Sequence, residues 1–149
     1  KDLFRRVMGS FASGVTVVTV KGKDGEPAGF TANAVTSLSI EPRLLLVCVS
    51  DQSSTLAMIQ EAGSFVVNIL SADQQESAQQ FATRPYNRFE GVRWRPGHET
   101  GAPVLDGSLA YAECKLSSTE KGGDDVSLMG EIRGGDAKEG EHLVYVRGR

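Results

Sequence analysis

Val15-Thr16-Val17-Val18-Thr19-Val20-Lys21, then Lys23-Asp24-Gly25-Glu26, then Ala28-Gly29-Phe30-Thr31-Ala32-Asn33-Ala34 form the stretch that decides the fold. The first run is β-branched almost throughout and suits a pleated, buried surface. The Asp-Gly pair is a turn signal, and the third run resumes an extended pattern. Residues 15–34 therefore read as a β-hairpin.

Before the hairpin, Leu3, Phe4, Val7 and Met8 recur at spacings of three and four. They make one apolar face of a short helix, with Arg5 and Arg6 on its other side. Gly9 and Gly14 bracket a break. After the hairpin, Ser37 to Ile40 is a short extended piece, and Leu44 to Val49 reads as a buried strand. Ser53 or Ser54 can cap a helix over Thr55 to Ala62, with Leu56, Met58 and Ile59 inward and Gly63 at its end. Phe65 to Leu70 is the next strand. Ser71 to Phe81 is a second short helix, its Ser71 and Gln74 spaced as in a capping box. Thr83 to Thr100 is polar and irregular. Val104 to Leu109 leads to a strand at Tyr111 to Ser117, and Gly122-Gly123-Asp124-Asp125 is a turn. Strands at Val126 to Ile132 and His142 to Arg147 complete the set. Strands this numerous, with no strand–helix alternation, predict a mainly β fold with a few short helices. An antiparallel barrel is the expected form, because closure removes exposed edges.

The chain has 149 residues, which predicts a single domain over residues 1–149. Its net charge of −3 speaks against a nucleic-acid partner, which needs a basic face. No apolar run approaches the ~20 residues of a membrane span. The chain starts at Lys1, so a native start is expected upstream, and any targeting signal there is not visible. Cys48 and Cys114 sit in apolar, strand-like segments and read as buried thiols of a reducing cytoplasm, with a disulfide left open. His98 and His142 are in poor contexts for a metal site or a nucleophilic triad, so neither is expected.

Two polar clusters carry the chemistry. Gly29-Phe30-Thr31-Ala32-Asn33-Ala34-Val35-Thr36-Ser37 combines small residues, hydroxyls and an amide at a strand end. Small side chains let backbone N–H groups approach a flat ring, and hydroxyls can bind phosphate without a cationic cluster. Ser50-Asp51-Gln52-Ser53-Ser54-Thr55 runs into a helix, whose N-terminus suits a phosphate. The plainer alternatives are a polar strand end and simple helix capping. Capping, however, needs just one of these hydroxyls.

These residues resemble the flavin reductase-like, FMN-binding split-barrel family. The likeness begins at Phe4-Arg5 and runs through Phe11-Ala12-Ser13-Gly14-Val15-Thr16-Val17-Val18-Thr19. Its most specific part is Gly29 to Ser37. Pro42 to Val49, Ser53 to Leu56, Phe65 to Leu70, Phe81-Ala82, Arg88-Phe89, Pro103-Val104-Leu105, Gly130-Glu131-Ile132 and Tyr145-Val146-Arg147-Gly148-Arg149 are similar to further landmarks. The resemblance implies a homodimeric split β-barrel with FMN, or FAD, near the subunit interface. It implies an NAD(P)H:flavin reductase supplying reduced flavin to a partner monooxygenase. Thr31, Ala32 and Asn33 would lie along the isoalloxazine. Ser37, Ser53, Ser54 and Thr55 would meet ribityl and phosphate. Cys48 and Ser50 would line the wall, and Arg88 and Phe89 would lie near the phosphate or the cofactor tail.

One position departs from the pattern. Asp125 stands where the family commonly carries a histidine that receives the nicotinamide, and Val146 replaces a frequent tyrosine. An ionised carboxylate neither donates a hydrogen bond nor stacks, and it repels pyrophosphate. Weakened NAD(P)H use is the expectation. A flavin protein with another electron donor, or a carrier or sensor without turnover, is the alternative reading.

Overall fold

The computed structural model describes residues 1–148. In chain order the elements are α1 (Asp2–Met8), β1 (Ser13–Gly14), β2 (Thr16–Lys21), β3 (Pro27–Ala32), β4 (Val35–Ser39), β5 (Leu44–Ser50), α2 (Ser54–Ala62) and β6 (Ser64–Ile69). A short 3₁₀ turn at Ala72–Gln74 leads into α3 (Gln75–Thr83). Then come β7 (Trp94–Pro96), β8 (Pro103–Leu105), β9 (Ala110–Gly122), β10 (Asp125–Ala137) and β11 (Val144–Tyr145). The Ser71 N–H donates to Gln74 Oε1 at 2.8 Å, one half of the expected capping box. Arg149, last residue of the family-like ending, lies outside the described residues.

The β-branched run behaves as its composition dictates. Strand β2 is buried on both faces, with Val17, Val18 and Val20 all at 0% exposure. Val18 and Val20 enter the main core with Val47, Val49, Phe65, Val67, Cys114, Leu128 and the α2 residues Leu56 and Ile59. Val15 and Val17 point the other way, into a second cluster with Leu70, Ala78, Phe81 and Leu105. Burial of each Val relative to exposure is worth about 1.5 kcal/mol or more.

Seven strands form one antiparallel sheet in the order β3-β2-β6-β9-β10-β5-β4. The sheet curls, so β2 and β5, several strands apart, share the main core. The expected closed ladder is not formed. Strands β3 and β4 remain the two edges, and no register links them among the described residues. A side chain satisfies part of the β3 edge instead: Arg88 Nη1 donates to the Gly29 carbonyl at 2.8 Å, while Thr31 Oγ1 ties β3 to α3 by donating to the Ala78 carbonyl at 2.5 Å.

The expected short helix forms as α1, and its apolar face is exposed, with Leu3 and Phe4 each at 69% and no α1 residue buried among the described residues. Two further expectations need correction. The hairpin of β9 and β10 is longer than its apolar segments, at 13 residues a strand, because pairing carries polar ends such as Ser118 to Lys121 along. The strand expected over His142 to Arg147 shrinks to β11, paired with β1, plus one bridge from His142 to Ser71.

Gly130 sits where β9 and β10 cross the core. A Cβ there would lie 2.6 Å from Phe65 Cζ and 2.9 Å from Cys114 Cβ. Gly130→Ala should lower stability by about 1–3 kcal/mol through overpacking. A urea melt checks this: an unchanged midpoint contradicts it.

Candidate functional site

Residues Asn33 and Ala34 form the two-residue link between β3 at one sheet edge and β4 at the other. The Cys48 N–H donates to the Ala34 carbonyl at 2.9 Å, so β5 pins the link from below. Beside this link opens a cleft of about 510 Å³. Thr31, Ala32 and Asn33 enter it from the end of β3, Cys48 and Ser50 from β5, Ser53 and Ser54 from the head of α2, Arg88 from the loop after α3, and Asp125 from the start of β10. A second cavity of about 440 Å³ shares Ser54 and Arg88 with it and adds Gly29, Thr55, Tyr86 and Phe89. The two polar clusters of the sequence thus meet across the gap in the sheet.

The head of α2 shows which hydroxyls its cap consumes. Ser53 Oγ accepts from the Thr55 N–H at 3.3 Å, with Ser53 in extended conformation as an N-cap. Ser50 Oγ accepts from the Gln52 N–H at 3.2 Å. Ser54 is exposed and borders both cavities. Thr55 is 3% exposed and borders the second. The helix therefore presents hydroxyls and partial positive charge to the groove beyond what its own cap uses.

Arg88 is held before any ligand arrives. Its Nε donates to the Arg84 carbonyl at 2.6 Å, in addition to the Nη1 bond to Gly29. This fixes a half-buried guanidinium at the border of both cavities with further N–H donors to offer. Gly29 lets β3 lie close to β2 and α3, since a Cβ there would sit 2.9 Å from the Val18 carbonyl and 3.3 Å from the Phe81 ring.

Not every sequence-derived residue joins the cleft. Ser37 is exposed on β4 opposite Leu45 and borders neither cavity. Phe89 borders the second cavity, yet its ring packs edge-on against Phe81 at 4.8 Å and lies 6.0 Å from Trp94. The Thr31 hydroxyl proton is committed to Ala78. Phe30 and Gln52, which lie within the two polar clusters, and Phe81 and Ala82 line the cleft without having been given a role, and Pro85, Tyr86 and Asn87, not singled out, line the second cavity. Asn87 carried a readable signal: its φ of +54° is a conformation that Asn tolerates better than most residues.

Asp125 pairs in register with Ser50 and is half-buried at the cleft. Among the described residues its carboxylate has no hydrogen-bond or ion-pair partner. The nearby Lys121 instead holds Asp51 at 2.9 Å, and that hydrogen bond keeps the Asp51 carboxyl below its usual range. The two cysteines are free and dissimilar. Burial pushes the Cys114 thiol up to about 12. Cys48 is half-buried on the cleft wall, against the expectation that both are buried.

The flavin reductase like domain model matches residues 8–149. The chain belongs to the flavin reductase-like family. It is 40% identical over 135 residues to a flavin reductase (NADH) of Kitasatospora aureofaciens, covering 90% of this chain and 71% of that one. It is 37% identical over 147 residues to HsaB, a flavin-dependent monooxygenase reductase subunit of Rhodococcus jostii, covering 98% and 74%. Among solved structures, the Streptomyces globisporus NADH:FAD oxidoreductase SgcE6 superposes with a TM-score of 0.93 at 38% identity, over 98% of this chain and 88% of that one.

The contrast between the thiols gives a direct check on the cleft. At pH 8, iodoacetamide should modify Cys48 in the native protein and leave Cys114 untouched until the chain is unfolded. Peptide mass mapping reads both sites. Native labelling of Cys114, or no native labelling of Cys48, contradicts this arrangement.

Proposed function

We propose that this chain is a flavin reductase that takes electrons from NADH, or NADPH, and releases reduced flavin to a partner monooxygenase. The observation that carries the reading is the convergence of the α2 head, the anchored Arg88 and the small residues of Thr31 to Ala34 on one groove. That donor set fits a flavin monophosphate: spare hydroxyls and backbone N–H groups for the phosphate, a preset guanidinium, and a wall of small residues for a flat ring. Relatives named as NADH-using flavin reductases and as a monooxygenase reductase subunit support the same assignment.

A bound flavin would supply the two-electron redox chemistry between a nicotinamide donor and the acceptor. The chain supplies position. Ser53, Ser54, Thr55 and Arg88 hold the phosphate end. Ala32 and Asn33 offer backbone and amide groups to the polar edge of the ring, with Thr31 contributing as an acceptor. Cys48 and Ser50 close the wall. FMN satisfies these contacts, and FAD contains the same moiety. Ser37 and Phe89 drop out of direct contact in this assignment, unless Ser37 serves a second copy's cleft. A homodimer fits the uncovered apolar surface of Leu3, Phe11, Leu38 and Ile40, the last 90% exposed. We assign residues 1–149 to one such domain acting in the cytoplasm.

The phosphate assignment separates from plain helix capping in Ser54→Asp. A carboxylate in the first turn of α2 should leave stability unchanged or raise it by about 0.3–1 kcal/mol through the helix dipole. The same charge should weaken FMN binding about 10-fold or more by opposing its phosphate. Thermal melts and fluorescence titration read the two effects. Unchanged FMN affinity removes the assignment.

Asp125 also favours the second reading, a flavoprotein poorly matched to NAD(P)H. Its unpaired carboxylate at the cleft opposes a substrate bearing two phosphates by about 2–4 kcal/mol at an effective dielectric near 20, less where salt reaches it. Asp125→His should lower the KM for NADH about 10-fold or more. Steady-state NADH oxidation with added FMN checks this, and no gain in the variant overturns it.

A further inference from the structure

The loop after α3 brings Arg88 to the border of both cavities, and its hydrogen bonds show what holds it there. Arg84 Nη1 pairs with Glu90 Oε1 at 3.0 Å and donates to the Asn87 carbonyl at 3.3 Å. The Glu90 N–H donates to the Asn87 carbonyl at 3.2 Å, and the Val92 N–H donates to the Phe89 carbonyl at 3.0 Å. The Phe89 ring packs on the second core cluster and anchors the residue beside Arg88.

One side chain outside the loop completes the set. Gln80, in the last turn of α3, donates from Nε2 to the Arg88 carbonyl at 2.7 Å and to the Glu90 carbonyl at 2.8 Å. Two carbonyls facing one amide settle its orientation, because only the nitrogen end donates, and it has two hydrogens to give. A helix residue with a solvated role would leave both to water. Gln80 is half-buried and borders neither cavity, so it touches nothing that the cavities would hold.

We infer that Gln80 is a positioning residue for the flavin phosphate, acting through Arg88. The inference rests on the flavin reductase reading and deepens its phosphate assignment. Arg88 spends two of its five N–H donors on the Gly29 and Arg84 carbonyls, which leaves others for a phosphate. Those two bonds aim the guanidinium. The Gln80 bond fixes the main chain from which that side chain springs, and the bond to Glu90 keeps the loop from unrolling beyond it. Ser54 and Thr55 border the same second cavity from the head of α2, so the guanidinium is held opposite the helix N-terminus. A donor held in place before the ligand arrives spares binding the cost of ordering it.

The test titrates the full chain with FMN and with riboflavin, which has the same ring and ribityl chain without the phosphate. Flavin fluorescence reads both. Gln80→Met keeps the length and helix propensity of glutamine and removes both donors. Its Kd for FMN should rise about 5-fold, and that for riboflavin less than about twofold. Arg88→Met alone should raise the FMN Kd about 10-fold. Adding Gln80→Met to it should cost less than about another twofold, because the effect runs through Arg88. Thermal melts establish that each variant folds. Should Gln80→Met not fold, Gln80→Ala, the stronger helix former, takes its place. A purely structural role predicts equal losses for both flavins, or a loss that persists without Arg88. Either result overturns the inference, as does an unchanged FMN Kd in the Gln80 variant. Failure of the underlying reading looks different: a natural chain that binds no flavin, or an Arg88→Met variant with unmoved FMN affinity, overturns the phosphate assignment and the inference with it.

Discussion

Strand β2 has no solvent face, and that constraint organises the molecule. Val18 and Val20 require a curled sheet and α2 on one side. Val15 and Val17 require α3, Leu70 and Leu105 on the other. A strand covered twice fixes both layers at once. Polar side chains in this region must then find partners. Thr19 is fully buried and donates to the Pro103 carbonyl at 2.5 Å, while Asn68 donates to the Val17 carbonyl at 3.1 Å and accepts from the Leu105 N–H at 2.9 Å. Losing such a partner would leave a buried group unsatisfied, at about 1–3 kcal/mol.

The same constraint creates the cleft. Covering the second face of β2 brings α3 against β3, where Thr31 donates to the Ala78 carbonyl of α3 and Arg88 donates to the Gly29 carbonyl of β3. The sheet therefore curls without sealing, and Asn33 and Ala34 bridge its two edges. The gap collects the ends of β3 and β5, the start of β10 and the head of α2. Each contributes backbone groups or small polar side chains whose hydrogen bonds the sheet does not use up.

The hairpin, the Leu44–Ser50 strand and α2 were legible because each is local: β-branched runs, a turn signal, a serine cap and Gly63 at φ +73°. The lengths of β9 and β10 were not, because Ser118, Glu120 and Asp136 are in strands through pairing rather than propensity. The α1 stripe was legible as well, because amphipathic spacing shows that an apolar stripe exists; what covers it is not a local property. In the site, Ser53 to Thr55 and Thr31 to Asn33 were visible as polar clusters at strand exits. The borders formed by Pro85 to Asn87 and by Phe81 depend on how α3 and its loop fold back, which no local pattern encodes.

Charge placement is the last step that links fold to chemistry. The groove offers the α2 dipole and Arg88 on one flank and the Asp125 carboxylate on another. Opposite charges within one groove do not cancel at close range, because each acts mainly on the ligand atoms nearest to it and salt screens the remainder. In the proposed assignment an anionic ligand would be drawn to the α2 and Arg88 flank and opposed at Asp125. Under the proposed reading that pattern would select an orientation as well as an affinity, and a substrate whose phosphates must pass Asp125 would be penalised. Asp125 lies at the head of a long hairpin, in register with Ser50, so the backbone ladder fixes its position. The groove's discrimination between neutral and charged portions of a ligand is therefore set by the sheet itself rather than by a mobile loop.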